Sequence, residues 1–213
     1  MKIGIIGCGH VGSVLARNWI QAGHEVIVSS DHPEMLKAFA KKLGPKASFA
    51  PPEEAAELSA IVLLSIPFGQ IPKLNPRTVN ALRGKIIMDT CNPYPERDGK
   101  VGIEGLNQNT GSGVWVAKHL PGAIIVKAFN TVHYRVLESE AFRQADPIGI
   151  PLASDDPKAL QVVSQLVREA GFGPVIIGKL ARAKDFDNGT PPYASGASAG
   201  ELEILLGLAR KAA

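Results

Sequence analysis

The chain has 213 residues, 45% of them hydrophobic and 20% charged, which is the composition of an ordinary packed globule. Its 23 basic and 20 acidic residues leave a formal charge of +3, too small to indicate nucleic acid or an anionic membrane as a partner. Folding at this length buries roughly 70% of the extended chain's surface, so Cys8 and Cys91 are not needed as a staple. They also lack the spacing of metal ligands, and no metal site is expected.

Short apolar runs alternate with helical patterns along the chain. Residues 2–6 form a strand candidate that runs straight into glycines. Residues 11–22 have helical spacing, with Val14, Leu15, Asn18 and Trp19 near one face. Residues 24–30 make a second strand rich in β-branched side chains, and 33–43 a helix with proline in its first turn. A short strand at 47–50, an acidic helix at 52–58 and strands at 60–66, 85–89 and 123–129 follow. Beyond Asn130 the rhythm continues with strand 148–153, helix 157–170, strand 174–177 and a last helix at 199–212. Segments 94–113 and 184–199 are rich in Gly, Pro, Asn and Ser and are expected to be loops. The apolar stretch at 1–7 is too short for a secretion signal, and no window reaches the length of a membrane span, so a cytoplasmic protein is expected.

Continuous apolar strands separated by helices imply a parallel sheet covered on both faces. Right-handed crossovers then build a doubly wound α/β fold of the Rossmann kind. Residues 1–130 are expected to form the dinucleotide-binding domain. Residues 131–213 are expected to form a small α/β subdomain packed on the same sheet and supplying the acceptor side.

Gly7-Cys8-Gly9-His10-Val11-Gly12 sits between the first strand and the first helix, where a pyrophosphate-binding turn belongs. Gly7 permits the tight turn, Gly9 lets the backbone approach the phosphates, and Gly12 allows close helix–strand packing. The N–H groups at the helix start, Val11 among them, attract the anion together with the helix dipole. His10 is expected near the pyrophosphate. Cys8 is either a reactive thiol at a helix N-terminus or a small residue filling the turn. The adenosine ribose is expected at the tip of the second strand, Ser29-Ser30-Asp31-His32. Asp31 lies 19 residues beyond Gly12, where an acid accepts from a ribose 2′-OH and repels a 2′-phosphate. Ser29 and Ser30 suit either ligand, and His32 and Lys37 suit a phosphate. The balance favours NAD over NADP, although Asp31 equally suits a helix cap.

Taken together, the glycine loop GCGHVG, VIVSSDHPE, LLSIPFGQI, IIMDTCNPY, VKAFNTV and GKLARAKDFDNGTPPY resemble the NADPH-dependent reductases of the deazaflavin coenzyme. They also resemble the oxidoreductase part of the STEAP metalloreductases. In that family the serine matching Ser30 and the arginine after it bind the NADP 2′-phosphate; here the arginine position holds Asp31. The resemblance implies that Ser65, Ile66, Pro67 and Phe68 run beside the cofactor. It also implies that Asn92, Pro93, Lys127, Ala128 and Phe129 lie at the nicotinamide end. Pro67 and Pro93 also suit strand termination, and Phe68 core packing. The resemblance places Asn130, Thr190 and Pro191 on the substrate side.

Hydride transfer between two planar cofactors needs alignment and exclusion of water more than acid–base groups. Lys127 and His133 are the candidates to donate a proton or hydrogen bond. The reading is a NAD(P)H-dependent reductase of a small flavin- or deazaflavin-like acceptor, with a homodimer implied by the resemblance. A small-molecule dehydrogenase or imine reductase remains open, but the roughly 80 residues after Asn130 keep an α/β pattern rather than a long helical dimerisation domain. A non-catalytic dinucleotide sensor remains open too, since its cofactor loop would be the same.

Overall fold

The computed structural model describes residues 1–30, 33–106 and 109–208. Strand β1 (Lys2–Ile6) leads into helix α1 (His10–Gln21), β2 (Glu25–Ser29), α2 (Pro33–Leu43), β3 (Ala47–Phe49) and α3 (Pro52–Glu57). After β4 (Ile61–Leu64) come a 3-10 turn (Phe68–Lys73), α4 (Pro76–Ala81) and β5 (Ile86–Asp89). Three helices, α5 (Pro95–Asp98), α6 (Lys100–Gly105) and α7 (Gly111–His119), precede β6 (Ile124–Lys127). The chain continues through α8 (Tyr134–Ser139), β7 (Gly149–Ala153), α9 (Pro157–Glu169), β8 (Gly173–Gly178), a second 3-10 turn (Leu180–Asp185) and α10 (Ala199–Leu205).

All eight strands form one sheet in the order β3-β2-β1-β4-β5-β6-β7-β8. The first six run parallel; β7 pairs with β6 antiparallel, and β8 lies parallel to β7. This is the expected doubly wound Rossmann sheet with a C-terminal α/β extension. The direction reverses at the junction, where the β6–β7 ladder is a single residue pair, Lys127 with Ala153.

Alternate residues of the strands serve opposite faces. Ile3, Ile5, Leu63 and Met88 pack with Leu15 and Trp19 of α1, Leu36 of α2 and Val163 of α9. Ile6, Val62, Leu64 and Ile87 pack with Ala56 of α3 and Trp115 and Val116 of α7. Val175 and Ile177 of β8 pack with Leu202 of α10 and with Leu206. Two buried polar side chains tie α1 to α9: Trp19 Nε1 donates to the Leu166 carbonyl (2.9 Å) and Asn18 Nδ2 to that of Ala170 (3.1 Å). Both carbonyls lie at the C-terminal end of α9, and that of Leu166 also accepts from the Ala170 N–H (3.0 Å).

Segment 94–113 is not a loop over its described residues, 94–106 and 109–113. It folds into α5, α6 and the first turn of α7, because Asp98 organises it: its carboxylate accepts from the N–H groups of Tyr94 (2.9 Å) and Gly69 (3.1 Å) and from Arg97. Glycine and proline composition alone carries no sign of this anchor. The last helix ends sooner than expected, at Leu205. Among the described residues no helix is long and apolar enough to cross a membrane.

Candidate functional site

A cleft of about 640 Å³ opens at the carboxyl ends of β1, β2 and β4. Its floor is Gly7, Cys8 and Gly9 with Ser65, Ile66 and Pro67. One wall comes from the β2–β3 side: Ser30, Met35, Leu36, Pro52 and Glu53. The other comes from the 3-10 turn and the start of α4: Gln70, Lys73, Leu74, Asn75 and Thr78.

The glycines divide the work. Gly7 has a left-handed backbone (φ 94°), and a Cβ there would sit 2.2 Å from the Ser65 carbonyl oxygen. A Cβ on Gly12 would sit 2.4 Å from the Gly7 oxygen. A Cβ on Gly9 would meet no protein atom within 4 Å, so nothing in the fold itself requires glycine there. The N–H groups of Gly7 and Cys8 are used by the Ser29 carbonyl (3.0 and 3.1 Å). The start of α1 has no side-chain cap and no acid in its first turn. Its first N–H groups, from His10 onward, therefore face outward with the positive end of the dipole. Burial pushes the Cys8 thiol up to about 12 against a weak pull from Arg17, so Cys8 fills the turn as a thiol rather than reacting as a thiolate.

Six of the sequence candidates line this cleft: Gly7, Gly9, Ser30, Ser65, Ile66 and Pro67. Asp31 and His32 lie outside the described residues. Ser29 does not face the cleft. It is fully buried and its hydroxyl donates to the Ile5 carbonyl (3.0 Å), because the last residue of β2 still belongs to the sheet. Phe68 is also fully buried and packs on Trp115 with ring centroids 4.5 Å apart, which is the core role.

The remaining candidates gather at the ends of β5 and β6. Phe129 is left-handed (φ 58°), a strained conformation for an aromatic residue, and is held edge-on between Trp19 and Phe172. The turn it makes aims Asn130 at the C-terminal segment. Asn92 Nδ2 donates to the Asn130 carbonyl (2.7 Å), and Asn130 Nδ2 donates to the Phe186 carbonyl (3.1 Å). Asn188 Nδ2 donates to the Pro93 carbonyl (2.8 Å), the Ala194 N–H donates to the Thr131 carbonyl (2.8 Å), and the Tyr94 and Tyr193 hydroxyls bond each other. Segment 186–194 is thus laced to residues 92–94 and 130–131. Within the lacing, Asn130 Oδ1, Thr131 Oγ1 and Asn188 Oδ1 are buried without a hydrogen-bond partner. Thr190 turns inward on itself, its hydroxyl donating to the Asp187 carbonyl (2.7 Å).

Lys127 lies deeper. Its ammonium is fully buried, paired with Asp89 (3.0 Å) and donating to the Cys91 carbonyl. Burial alone would push its pKa down; Asp89 first, then Asp187 and Cys91, hold it above the usual lysine value. Asp187 accepts from the N–H (2.8 Å) and hydroxyl (2.5 Å) of Ser112, and burial raises its carboxyl despite Lys127 and Ser112. Lys127 therefore ties β5, β6 and the C-terminal segment together instead of presenting a proton donor, and Ala128 beside it is also fully buried. His133 caps α8, accepting from the Arg135 N–H (3.3 Å). His10 stacks on Tyr134 with centroids 4.2 Å apart, which pins the glycine-loop side of α1 to α8.

Residues 2–93 match the family described as NADP oxidoreductase, coenzyme F420-dependent. The match covers the segment from β1 through β5, including the glycine loop. The chain is 26% identical over 189 residues to the metalloreductase STEAP3 of Rattus norvegicus, covering 87% of this chain and 36% of that protein. It thus spans about a third of the metalloreductases it matches. It is also 26% identical to the F420-dependent NADP reductase of Methanothermobacter marburgensis over 205 residues, 90% of each chain. The crystal structure of a hypothetical protein, SMa0349 from Sinorhizobium meliloti, superposes with a TM-score of 0.76 at 26% identity, covering 91% of this chain and 93% of that one. The similarity to NADP-dependent oxidoreductases makes a nicotinamide dinucleotide the group to test against the cleft. The space above Gly9 and the uncapped α1 terminus suit a diphosphate, and Ser30 with the Met35–Glu53 wall suits an adenosine.

Glu53, Gln70 and Lys73 in the cleft and Asn188 in the lacing are not among the residues singled out from the sequence. The Asn75-Pro76 start of α4, with Asn75 Oδ1 accepting from the Arg77 N–H (2.9 Å), was the signal that would have drawn residues 70–78 to the cleft.

Proposed function

We propose that this chain is a NADPH-dependent reductase that delivers hydride to a flavin- or deazaflavin-type small molecule. The observation that carries the reading is Gly9. An added Cβ at this position, the uncapped start of α1, would meet no protein atom within 4 Å, so the backbone lies open to a close-approaching diphosphate. The dinucleotide supplies the hydride when bound; the protein's share is to hold it and keep water from the reacting end. The lacing of Asn92, Asn130 and Asn188 supports an acceptor wall at that end, since it fixes the C-terminal segment against the ends of β5 and β6 with polar side chains.

The full-length similarity to an F420-dependent NADP reductase supports the acceptor class and favours NADP, whereas Asp31 in the sequence favours NAD. The test is direct. Purified protein is mixed with NADPH or NADH and, in turn, riboflavin, FMN, FAD and a deazaflavin, and loss of nicotinamide absorbance is followed against bleaching of the acceptor. Matched oxidation and bleaching with at least one acceptor is expected. Tight dinucleotide binding with no turnover across the panel would leave a sensor instead.

A further inference from the structure

We propose that Lys73 selects the phosphorylated dinucleotide, meeting the 2′-phosphate from the wall opposite Ser30. The inference rests on the cleft holding a nicotinamide dinucleotide, and it adds the residue that chooses between the two forms.

Among the described residues lining the cleft, the only charged side chains are Glu53 and Lys73. Neither joins an ion pair among the described residues. They come from opposite sides of β1: Glu53 from the first turn of α3, on the β2–β3 flank, and Lys73 from the 3-10 turn that follows β4. The glycine loop and the α1 terminus lie between them and take the pyrophosphate. What extends past that point, between Ser30 and residues 70–75, is the adenosine with its ribose.

Among the described residues that line the cleft, the flank that carries Ser30 holds no cation. Glu53 lies on it, and the sequence puts Asp31 directly after Ser30. A dianionic 2′-phosphate there needs a cation, and among the described residues lining the cleft Lys73 is the one present. Its backbone is held: Ile71 is 1% exposed, Pro72 stiffens the turn, and the Gly69 N–H donates to Asp98 (3.1 Å). Its side chain is exposed, long and unpaired, so the ammonium is free to swing onto a phosphate. The cation that usually follows the second strand is thus moved to the facing wall. This reconciles an acid at position 31 with a preference for NADP.

The test uses the intact protein with Lys73→Gln and Lys73→Arg, titrated with NADPH and NADH by calorimetry. Lys73→Gln should weaken NADPH about tenfold while NADH stays within about twofold, and Lys73→Arg should restore most of the loss. The salt dependence of NADPH binding should flatten in Lys73→Gln. Equal loss of both dinucleotides would assign Lys73 to the pyrophosphate, and an unchanged NADPH affinity would remove it from the site; either overturns the proposal. If the wild type binds neither dinucleotide, the reading of the cleft itself fails, and Lys73 with it.

Discussion

Gly9 and Gly12 differ in what an added methyl group would meet, and alanine separates their roles. Gly9→Ala has open space for its Cβ, so stability should stay within about 0.5 kcal/mol in urea melts while dinucleotide affinity falls at least about tenfold. Gly12→Ala gains up to about 1 kcal/mol of helix propensity. It also forces a contact 2.4 Å from the Gly7 oxygen, which should outweigh that gain and leave a net loss of about 1–2 kcal/mol. If Gly9→Ala binds both dinucleotides normally, the cradle is not there. The glycines were legible because their constraints are backbone constraints and leave a sequence mark. The residues of the facing wall were not, because a lysine at the end of a 3-10 turn looks like any solvated lysine until β4 is placed beside β1. Ser29 misleads for a related reason: one residue of strand length decides whether a hydroxyl faces a ligand or the sheet.

At the scale of elements, Lys127 and Asp89 join β5 to β6 through a fully buried pair. Lys127→Met strands the Asp89 carboxylate and should cost about 3–5 kcal/mol, part of it recovered by adding Asp89→Asn. The raised lysine pKa means its contribution is fully present below the unfolded value of about 10.4 and is lost as pH climbs through the higher folded value; alkaline melts should show this in the wild type and not in the double variant. Asp98 has the opposite sign. Burial raises its carboxyl, but Arg97 and the N–H groups of Tyr94 and Gly69 outweigh that and hold it below the usual range. Its contribution is present above the unfolded value of about 3.9 and fades as pH falls through the folded one. Asp98→Asn should therefore cost about 1–2 kcal/mol at neutral pH and progressively less in acid. Strands and long helices were visible in the sequence because burial on both faces makes continuous apolar runs. Helices α5 and α6 were not, because one carboxylate rather than a periodic apolar face holds them.

For the whole molecule, a continuous sheet and the Trp19 and Asn18 bonds to α9 predict one cooperative transition. Tryptophan fluorescence reports only residues 19 and 115, both before Asn130, whereas far-ultraviolet circular dichroism reports every helix. The two melting curves should coincide; separation would mean that the part beyond Asn130 unfolds on its own. NADPH at about 100 times its Kd should add about 2.7 kcal/mol, a rise of roughly 5–10 °C in Tm for a chain of this size.

The reversal at β7 has a cost in path length. Because β7 and β8 run against the other six strands, their carboxyl ends point away from the ligand edge. The chain reaches that edge again only by a detour, through the turn at Leu180–Asp185 and on to Asn188 and Tyr193. Cutting a few residues from the detour should uncouple the two halves of the reaction: a protein that still grips its dinucleotide but has lost the wall against which an acceptor would lie.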